Sequence, residues 1–318
     1  MNNLTESLSI HNQVINRGNP SRNGIFDIFK YMKLMDVLYL NWVEDLPERR
    51  GGTLQSFFFI LLIGLLKLSG KKVIWTLHNK KSHSVDHHFI KSVLFRLLLR
   101  RSDLIITHAS EGLKSIPENT PKLFIHHPVD TNKQNHKSIH DKIYDIIIWG
   151  TITKYKGIDK FLKYLVQNGL AHKYRIVIAG TVKSVELIEE LEQIDQDYPN
   201  IGLLNRFIEE EELVELIEKS KLILFCYQSD SILSSGALMD SLLFDSTIIG
   251  PNVGAFDDLS QEELIYSFKN FDDLIKLMDP LLADNHSKTA SETKKQEFIK
   301  ANSWETFSDR ISKELSQL

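Results

Sequence analysis

Short apolar runs that stop at glycine or a polar residue, each followed by a stretch of helical periodicity, recur along this sequence and dictate its fold class. Ile146-Ile147-Ile148-Trp149 stops at Gly150, Ile176-Val177-Ile178-Ala179 at Gly180, and Val73-Ile74-Trp75-Thr76-Leu77 at His78. Runs without polar alternation are strands buried on both faces, and such strands need helices above and below the sheet. Strands are expected at 7–14, 36–41, 72–77, 103–107, 123–125, 144–149, 174–179, 201–204, 221–226 and 246–249. Helices are expected through about Tyr31 and at about 53–69, 86–100, 157–168, 183–195, 209–219 and 235–244, with one further helical segment from Thr293 to Leu318. Alternation of the two predicts an α/β protein built on parallel sheets.

With 318 residues the chain exceeds the usual size of a single core, so two domains are expected. The polar, charged stretch Thr131–Asp141 separates them: residues 1–135 on one side, 142–295 on the other, with the tail at about 300–318 crossing back to the first. The single cysteine, Cys226, lies in an expected buried strand, so there is no disulfide framework and a reducing compartment fits. The residues after Met1 lack a basic-then-apolar leader, which argues against secretion. Net charge is −4 but uneven: residues 1–130 hold 17 Lys/Arg against 11 Asp/Glu, and the remainder 21 against 31. A basic first half suits an anionic partner such as a membrane surface or a lipid-linked phosphate; an ordinary solvated surface is the alternative.

Gly150 and the pair Lys156-Gly157, set between a buried strand and an amphipathic helix, outline a phosphate site. The turn offers backbone N–H groups, and Lys156 adds a mobile cation suited to a diphosphate. A plain turn is the competing reading. Further on, the strand Ile223-Leu224-Phe225-Cys226-Tyr227 leads to Ser234-Ser235-Gly236-Ala237-Leu238-Met239-Asp240, a second helix entrance. Two such entrances in one α/β half point to one ligand between them.

In order and spacing, Gly150–Gly157, Arg175–Gly180, Ser234–Asp240 and Thr247-Ile248-Ile249-Gly250-Pro251 resemble the donor domain of GT-B glycosyltransferases, especially glycosyltransferase family 4. Upstream, Asp36-Val37-Leu38-Tyr39-Leu40-Asn41-Trp42 and Val73-Ile74-Trp75-Thr76-Leu77-His78-Asn79 are similar to two strand ends in members that assemble bacterial polysaccharides. The resemblance implies two Rossmann-like domains facing a central cleft: an N-terminal acceptor-binding domain and a C-terminal nucleotide-sugar donor domain. It implies a hexosyltransferase-like enzyme that moves a sugar from a nucleotide-sugar donor to a hydroxyl of a glycan, lipid-linked for preference. The setting implied is capsule or exopolysaccharide biosynthesis, in the cytoplasm at the inner face of the membrane. Neither a cofactor nor a metal is implied, the nucleotide sugar being a substrate. A catalytically weak GT-B subunit that binds glycan or a partner protein is the alternative.

Carried over residue by residue, the resemblance puts Lys156 on the leaving diphosphate. The arginine that usually follows the first glycine is Thr151 here, and Lys154 is the candidate substitute from the same loop. Gly180 belongs to the same donor side, and Ser234, Ser235 and Gly236 would face the phosphates. Asp240 matches the last acid of the paired-glutamate motif that holds the ribose, whereas the first acid falls at Ile232. On the acceptor side stand Asn19 and Arg22 in the first loop, and Asn41, Asn79 and His127 at strand ends. Asn41 occupies a position where related retaining enzymes carry a histidine, so the candidates for deprotonating the acceptor are His78, Glu44 and Asp45.

Phe57–Leu66 is apolar throughout but shorter than the roughly 20 residues a membrane span needs, and it is read as a fully buried helix, with an interfacial helix as the alternative. Lys91–Arg101 alternates apolar side chains with cations in the manner of monotopic membrane helices, or of a core helix with a solvated basic edge. His83, His87 and His88 lie near His78 without the spacing of a metal motif. No Gly-x-Gly-x-x-Gly or Walker A motif occurs, and neither the charge nor any basic-aromatic module supports nucleic-acid binding.

Overall fold

The computed structural model describes residues 2–21, 23–79, 87–131, 141–227, 233–283 and 292–318. Two compact units emerge: one comprises Met1–Asp130, Ser231–Ser234 and Ala301–Leu318, the other Thr131–Asp230 and Ser235–Lys300. In chain order the first runs α1 (Asn2–Leu8), α2 (Gly24–Tyr31), β1 (Val37–Asn41), α3 (Gly52–Leu68), β2 (Lys72–Leu77), α4 (His88–Arg101), β3 (Leu104–Thr107) and β4 (Lys122–Phe124). The second continues with β5 (Tyr144–Trp149), α5 (Ile158–Gln167), β6 (Ile176–Ala179), α6 (Val185–Asp197), β7 (Ile201–Leu204), α7 (Glu210–Glu218) and β8 (Ser220–Leu224). It then passes through α8 (Gly236–Ser241), β9 (Thr247–Pro251), α9 (Gly254–Gln261), β10 (Tyr266–Phe268), α10 (Phe271–Ala283) and α11 (Glu292–Ala301), after which α12 (Trp304–Leu315) belongs to the first unit.

The first sheet is parallel in the order β1-β2-β3-β4. Its register sets Asn41 beside Thr76, Leu77 beside Thr107 and Thr107 beside Phe124, so the strands end together along one edge. Strand alternation divides β2: Trp75 meets Phe95 of α4 edge-on at 5.3 Å, whereas Ile74, with Leu104 and Ile106, joins Phe307 and Ile311 of α12. Helix α1 lies on the α12 side. Leu4 and Leu8, one turn apart, pack into that cluster, and Ser308 Oγ donates to the Ser7 carbonyl at 2.6 Å. The strand expected at 7–14 is therefore absent, because the i, i+4 leucines make a helix that α12 can bury. The C-terminal segment, expected as one helix, is two. Ser303 breaks it, its Oγ accepting from Thr306 N at 3.1 Å to start α12, while Val129 N donates to the Asn302 carbonyl at 2.8 Å.

Two further expectations change. Helix α3 is not fully buried: Phe59, Leu62, Ile63 and Leu66 face the core, but Leu54, Phe57, Phe58, Leu61, Leu65 and Leu68 are exposed. Lys91, expected among surface cations, is buried and paired with Glu48, while Arg96, Arg100 and Arg101 remain exposed.

The second sheet is parallel in the order β10-β9-β8-β5-β6-β7. Counted from β5, this is the 3-2-1-4-5-6 order of a doubly wound Rossmann sheet, read from the far edge. Ile146, Ile148, Ile176 and Ile178 pack against Phe161, Leu162 and Leu165 of α5 and against Leu187 and Leu191 of α6. The strands from 144 onward fall where the apolar runs predict them. The elements α9, β10 and α10 lie beyond the run at 246–249 and were not expected.

If α12 is an integral part of the first core, Ile311→Ala removes a fully buried side chain from it. Urea unfolding should then register a loss of about 2–5 kcal/mol, the range for buried isoleucine truncation. A loss within about 0.5 kcal/mol, as for surface sites, would show that the helix contributes no core contact.

Candidate functional site

In the Rossmann sheet the chain order reverses between β5 and β8, so their C-terminal ends open the crevice where such sheets bind ligands. Gly150 leaves β5 with φ of +98°, a conformation that favours glycine, and the loop after it is pinned to the exit of β6. Gly150 N donates to the Ala179 carbonyl at 3.0 Å and Ile152 N to the Thr181 carbonyl at 2.9 Å. Gly180, at φ +146°, lies so close that an added Cβ would be 2.1 Å from the Gly150 oxygen. The turn was expected to offer its backbone N–H groups to phosphate; those of Gly150 and Ile152 are instead engaged by the neighbouring strand exit.

What the turn presents is Lys156. A Cβ on Gly150 would stand 3.2 Å from Lys156 Nζ and 3.9 Å from Ala237 Cβ, so the loop, the ammonium and the start of α8 meet at one point. Lys156 is buried, and no carboxylate among the described residues pairs with it; its Nζ lies over the face of Tyr227, 5.7 Å from the ring centroid. Burial alone pushes its pKa down from the usual 10.5 to about 8. Tyr227 stacks on Tyr155 at 5.8 Å and shares a 3.2 Å hydroxyl contact with Ser235 Oγ, which caps α8 by accepting from Leu238 N. Trp149 Nε1 donates to Ser241 Oγ at 3.2 Å, tying the end of β5 to the same helix.

The other donor-side candidates divide. Thr151 and Gly236 are exposed, and Asp240 is half-buried. Ser234, which falls in the first unit, has its Oγ buried with no hydrogen-bond partner among the described residues. Lys154 is held elsewhere, 3.4 Å from Asp159 and 3.2 Å from Glu190, so the cation offered as a substitute for the missing arginine is neutralised by carboxylates. Ile232 lies outside the described residues.

In the first unit the common strand edge collects a second set. His78 leaves β2 and stacks on Trp42, which follows β1 with a left-handed φ of 55°; the rings are 4.1 Å apart and 3° from parallel. His78 Nε2–H donates to Asn41 Oδ1 at 2.9 Å, which leaves Nδ1 with the lone pair. Burial, with His127 nearby, pushes the His78 pKa down to about 3, so the ring is neutral at physiological pH. His108 leaves β3, fixed by a 2.9 Å contact between Nδ1 and the Ile125 carbonyl; its centroid lies 5.6 Å from that of His78 and 5.2 Å from that of His127. His127 in turn meets Trp304 edge-on at 5.9 Å. Asn79 is buried beside the set. Asn19 is exposed before α2, Arg22 and His83 lie outside the described residues, and Glu44 and Asp45 sit on the 3-10 turn Val43–Glu48 with side chains outside the described set. Sequence reasoning missed His108, although Leu104–Thr107 ends at a histidine just as Lys72–Leu77 does. Among the described residues no group of three or more His, Cys, Asp or Glu is arranged to hold a metal ion.

The desolvated ammonium of Lys156 carries a stability cost. Below about pH 8 it is charged in both folded and unfolded chains, and burial of that charge lowers stability in full. Between about 8 and 10.5 the folded form binds fewer protons than the unfolded one, so stability rises with pH and the cost fades. Lys156→Met should stabilise the ligand-free protein at pH 7 by on the order of 1–3 kcal/mol, with the gain shrinking toward pH 10.5. Chemical denaturation at both pH values checks this, and a destabilised Lys156→Met protein would contradict it.

No protein-family model matches the chain, and no curated protein is significantly similar to it in sequence. Solved structures are similar in fold. Anabaena Alr3699/HepE, in its complex with UDP-glucose, aligns over 96% of this chain and 85% of its own with a TM-score of 0.69 at 12% identity. AviGT4, a glycosyltransferase involved in avilamycin A biosynthesis, aligns over 99% and 87% with a TM-score of 0.61 at 14% identity. The pneumococcal O-GlcNAc transferase GtfA, in complex with UDP and GlcNAc, aligns over 92% of this chain and 59% of its own, with a TM-score of 0.60 at 14% identity. With its two parallel sheets, the Rossmann order of the second and a C-terminal helix packed on α1, this chain has the fold of the GT-B glycosyltransferases.

Proposed function

We propose that the chain is a glycosyltransferase that takes a sugar from a nucleoside diphosphate donor held on the second unit and passes it to a hydroxyl of a glycan. One observation carries the reading: a buried ammonium, Lys156, without a carboxylate partner among the described residues, at the switch point of a Rossmann sheet. A buried charge is expensive unless something neutralises it, and a diphosphate would. Its negative charge increases as the anomeric C–O bond breaks, so Lys156 stabilises the leaving group more than the ground state. The first amides of α8, at Gly236 and Ala237, add N–H donors, and the tyrosine pair Tyr155–Tyr227 walls the site.

The acceptor hydroxyl loses its proton as its oxygen bonds to the anomeric carbon. His78 is suited to take it. Asn41 and Trp42 fix its orientation and Nδ1 holds the free lone pair; burial keeps the ring neutral but weakens it as a base, so it is the geometry that supports the role. A lipid-linked glycan in surface polysaccharide assembly, with transfer at the inner face of the cytoplasmic membrane, is the setting this reading favours, and the chemistry assigned to these residues uses no metal ion.

UDP, present in complexes of HepE and GtfA, is the ligand to try first. Calorimetry should show Lys156→Ala weakening UDP binding by about 1.5–3 kcal/mol, the loss of a charge-assisted bond. Binding to the wild-type protein should also weaken above pH 8 and take up protons there, since the diphosphate restores the charge that burial removes. Unchanged affinity in a folded Lys156→Ala protein removes that residue from the donor site.

His78→Ala should cut turnover about 10²–10⁴-fold while leaving UDP affinity as it was. Near-normal turnover by the folded variant would pass the role of base to Glu44 or Asp45.

A further inference from the structure

Helix α3 has two apolar faces. One is buried. The other is an unbroken stripe at helical spacing made of Leu54, Phe57, Phe58, Leu61, Leu65 and Leu68, from 49% exposed at Leu61 to 87% at Leu68. A folded protein tolerates scattered exposed leucines, but a ridge of six large apolar side chains calls for a partner. The neighbouring helix α2 adds Phe26 and Phe29, and Leu34 follows it, all more than three-fifths exposed.

Charge indicates which partner. Helix α3 contains no acidic residue. The one acid of α2, Asp27, is turned inward, where it accepts from Ser21 N at 2.9 Å, while Lys30 on the same helix points outward. Lys33 follows α2, and Arg49 and Arg50 precede α3; all three are exposed, with no ion pair among the described residues. Phenylalanine and leucine flanked by unpaired cations suit the boundary between acyl chains and anionic headgroups. A second protein would need carboxylates to meet those cations, whereas a second copy of this chain would bring the same cations face to face. The 17-residue helix is about 26 Å long, and its inner face is committed to the protein core, so it lies in the plane of a bilayer rather than across it. Among the described residues no helix is long and apolar enough to cross a membrane.

We propose that the exposed face of α2 and α3 seats the N-terminal unit on an anionic lipid surface, with Phe57, Phe58 and Leu61 inserted below the headgroups and Arg49, Arg50, Lys30 and Lys33 on the phosphates. The cations first sought on α4 are not the principal contact, since Lys91 is buried against Glu48. This inference does not depend on the donor chemistry proposed above.

The test is co-sedimentation of the 318-residue chain with vesicles of phosphatidylcholine alone and of equimolar phosphatidylcholine and phosphatidylglycerol. The wild-type protein should pellet with the anionic vesicles at least about tenfold more strongly than with the neutral ones, and less as salt rises. The double variant Phe57→Ser, Leu61→Ser should lose at least about tenfold of that binding, and Arg49→Gln, Arg50→Gln should lose the salt dependence. Phe207→Ser, an exposed phenylalanine on the other unit, should bind like the wild type. Circular dichroism and UDP calorimetry on the same variants keep misfolding and failure of the donor reading apart from failure of this one. Equal binding to neutral and anionic vesicles, no binding at all, or unchanged binding by the folded serine variant would overturn the proposal. A wild-type dimer that the serine variant turns into a monomer, without vesicle binding, would assign the face to a second copy instead.

Discussion

Parallel pairing is the constraint on which everything else here depends. A strand that must lie parallel to its neighbour has to be reached by a crossover, so every strand of a sheet ends at the same edge. That geometry turns residues remote in sequence into neighbours. Asn41, His78, His108 and His127 come from four different segments, yet each follows or ends a strand whose register is fixed by the ladder. The Rossmann sheet does the same for Gly150, Gly180 and the first turn of α8. The chemistry of each unit is thus a consequence of strand direction before it is a matter of side-chain identity.

The same constraint explains what the sequence made legible. Strands buried on both faces leave continuous apolar runs, and β5, β6, β8 and β9 stand where those runs lie. Gly150 and Gly180 were visible as the stops of two runs, but their mutual contact was not, since it depends on how adjacent strand exits pack. The first segment misled because Leu8 and Ile10 in alternation fit a strand as well as Leu4 and Leu8 fit a helix. Only the face of α12, more than 290 residues away, decides between them. Helix α3 misled for a different reason: an apolar run states how much surface avoids water, not which half of it another element covers.

Electrostatics was the least legible part. Lys154 and Lys156 are two residues apart and chemically identical in the sequence. The 3-10 turn Lys154–Lys156 sends the first to Asp159 and Glu190 and folds the second beneath Gly150. One is a solvated, neutralised cation; the other is desolvated, and its ammonium is already destabilised. No spacing rule distinguishes them, because the difference lies in what surrounds each nitrogen.

The two perturbed groups answer opposite needs. Desolvation depresses both the ammonium of Lys156 and the imidazolium of His78, as it must for any cationic acid taken from water. For His78 the result is a neutral ring with its lone pair available, but one that the same burial makes a weaker base. For Lys156 the result is a cation held at a cost that an anion would relieve. An enzyme whose ground state leaves this charge uncompensated gains most from the state in which negative charge is greatest, and for a departing diphosphate that is the transition state. On the donor chemistry proposed for Lys156, burial at the switch point would act on the strength of the interaction and on its timing together. A lysine in the exposed setting of Lys154 would meet donor and leaving group with nearly equal weak attraction, and it would accelerate little.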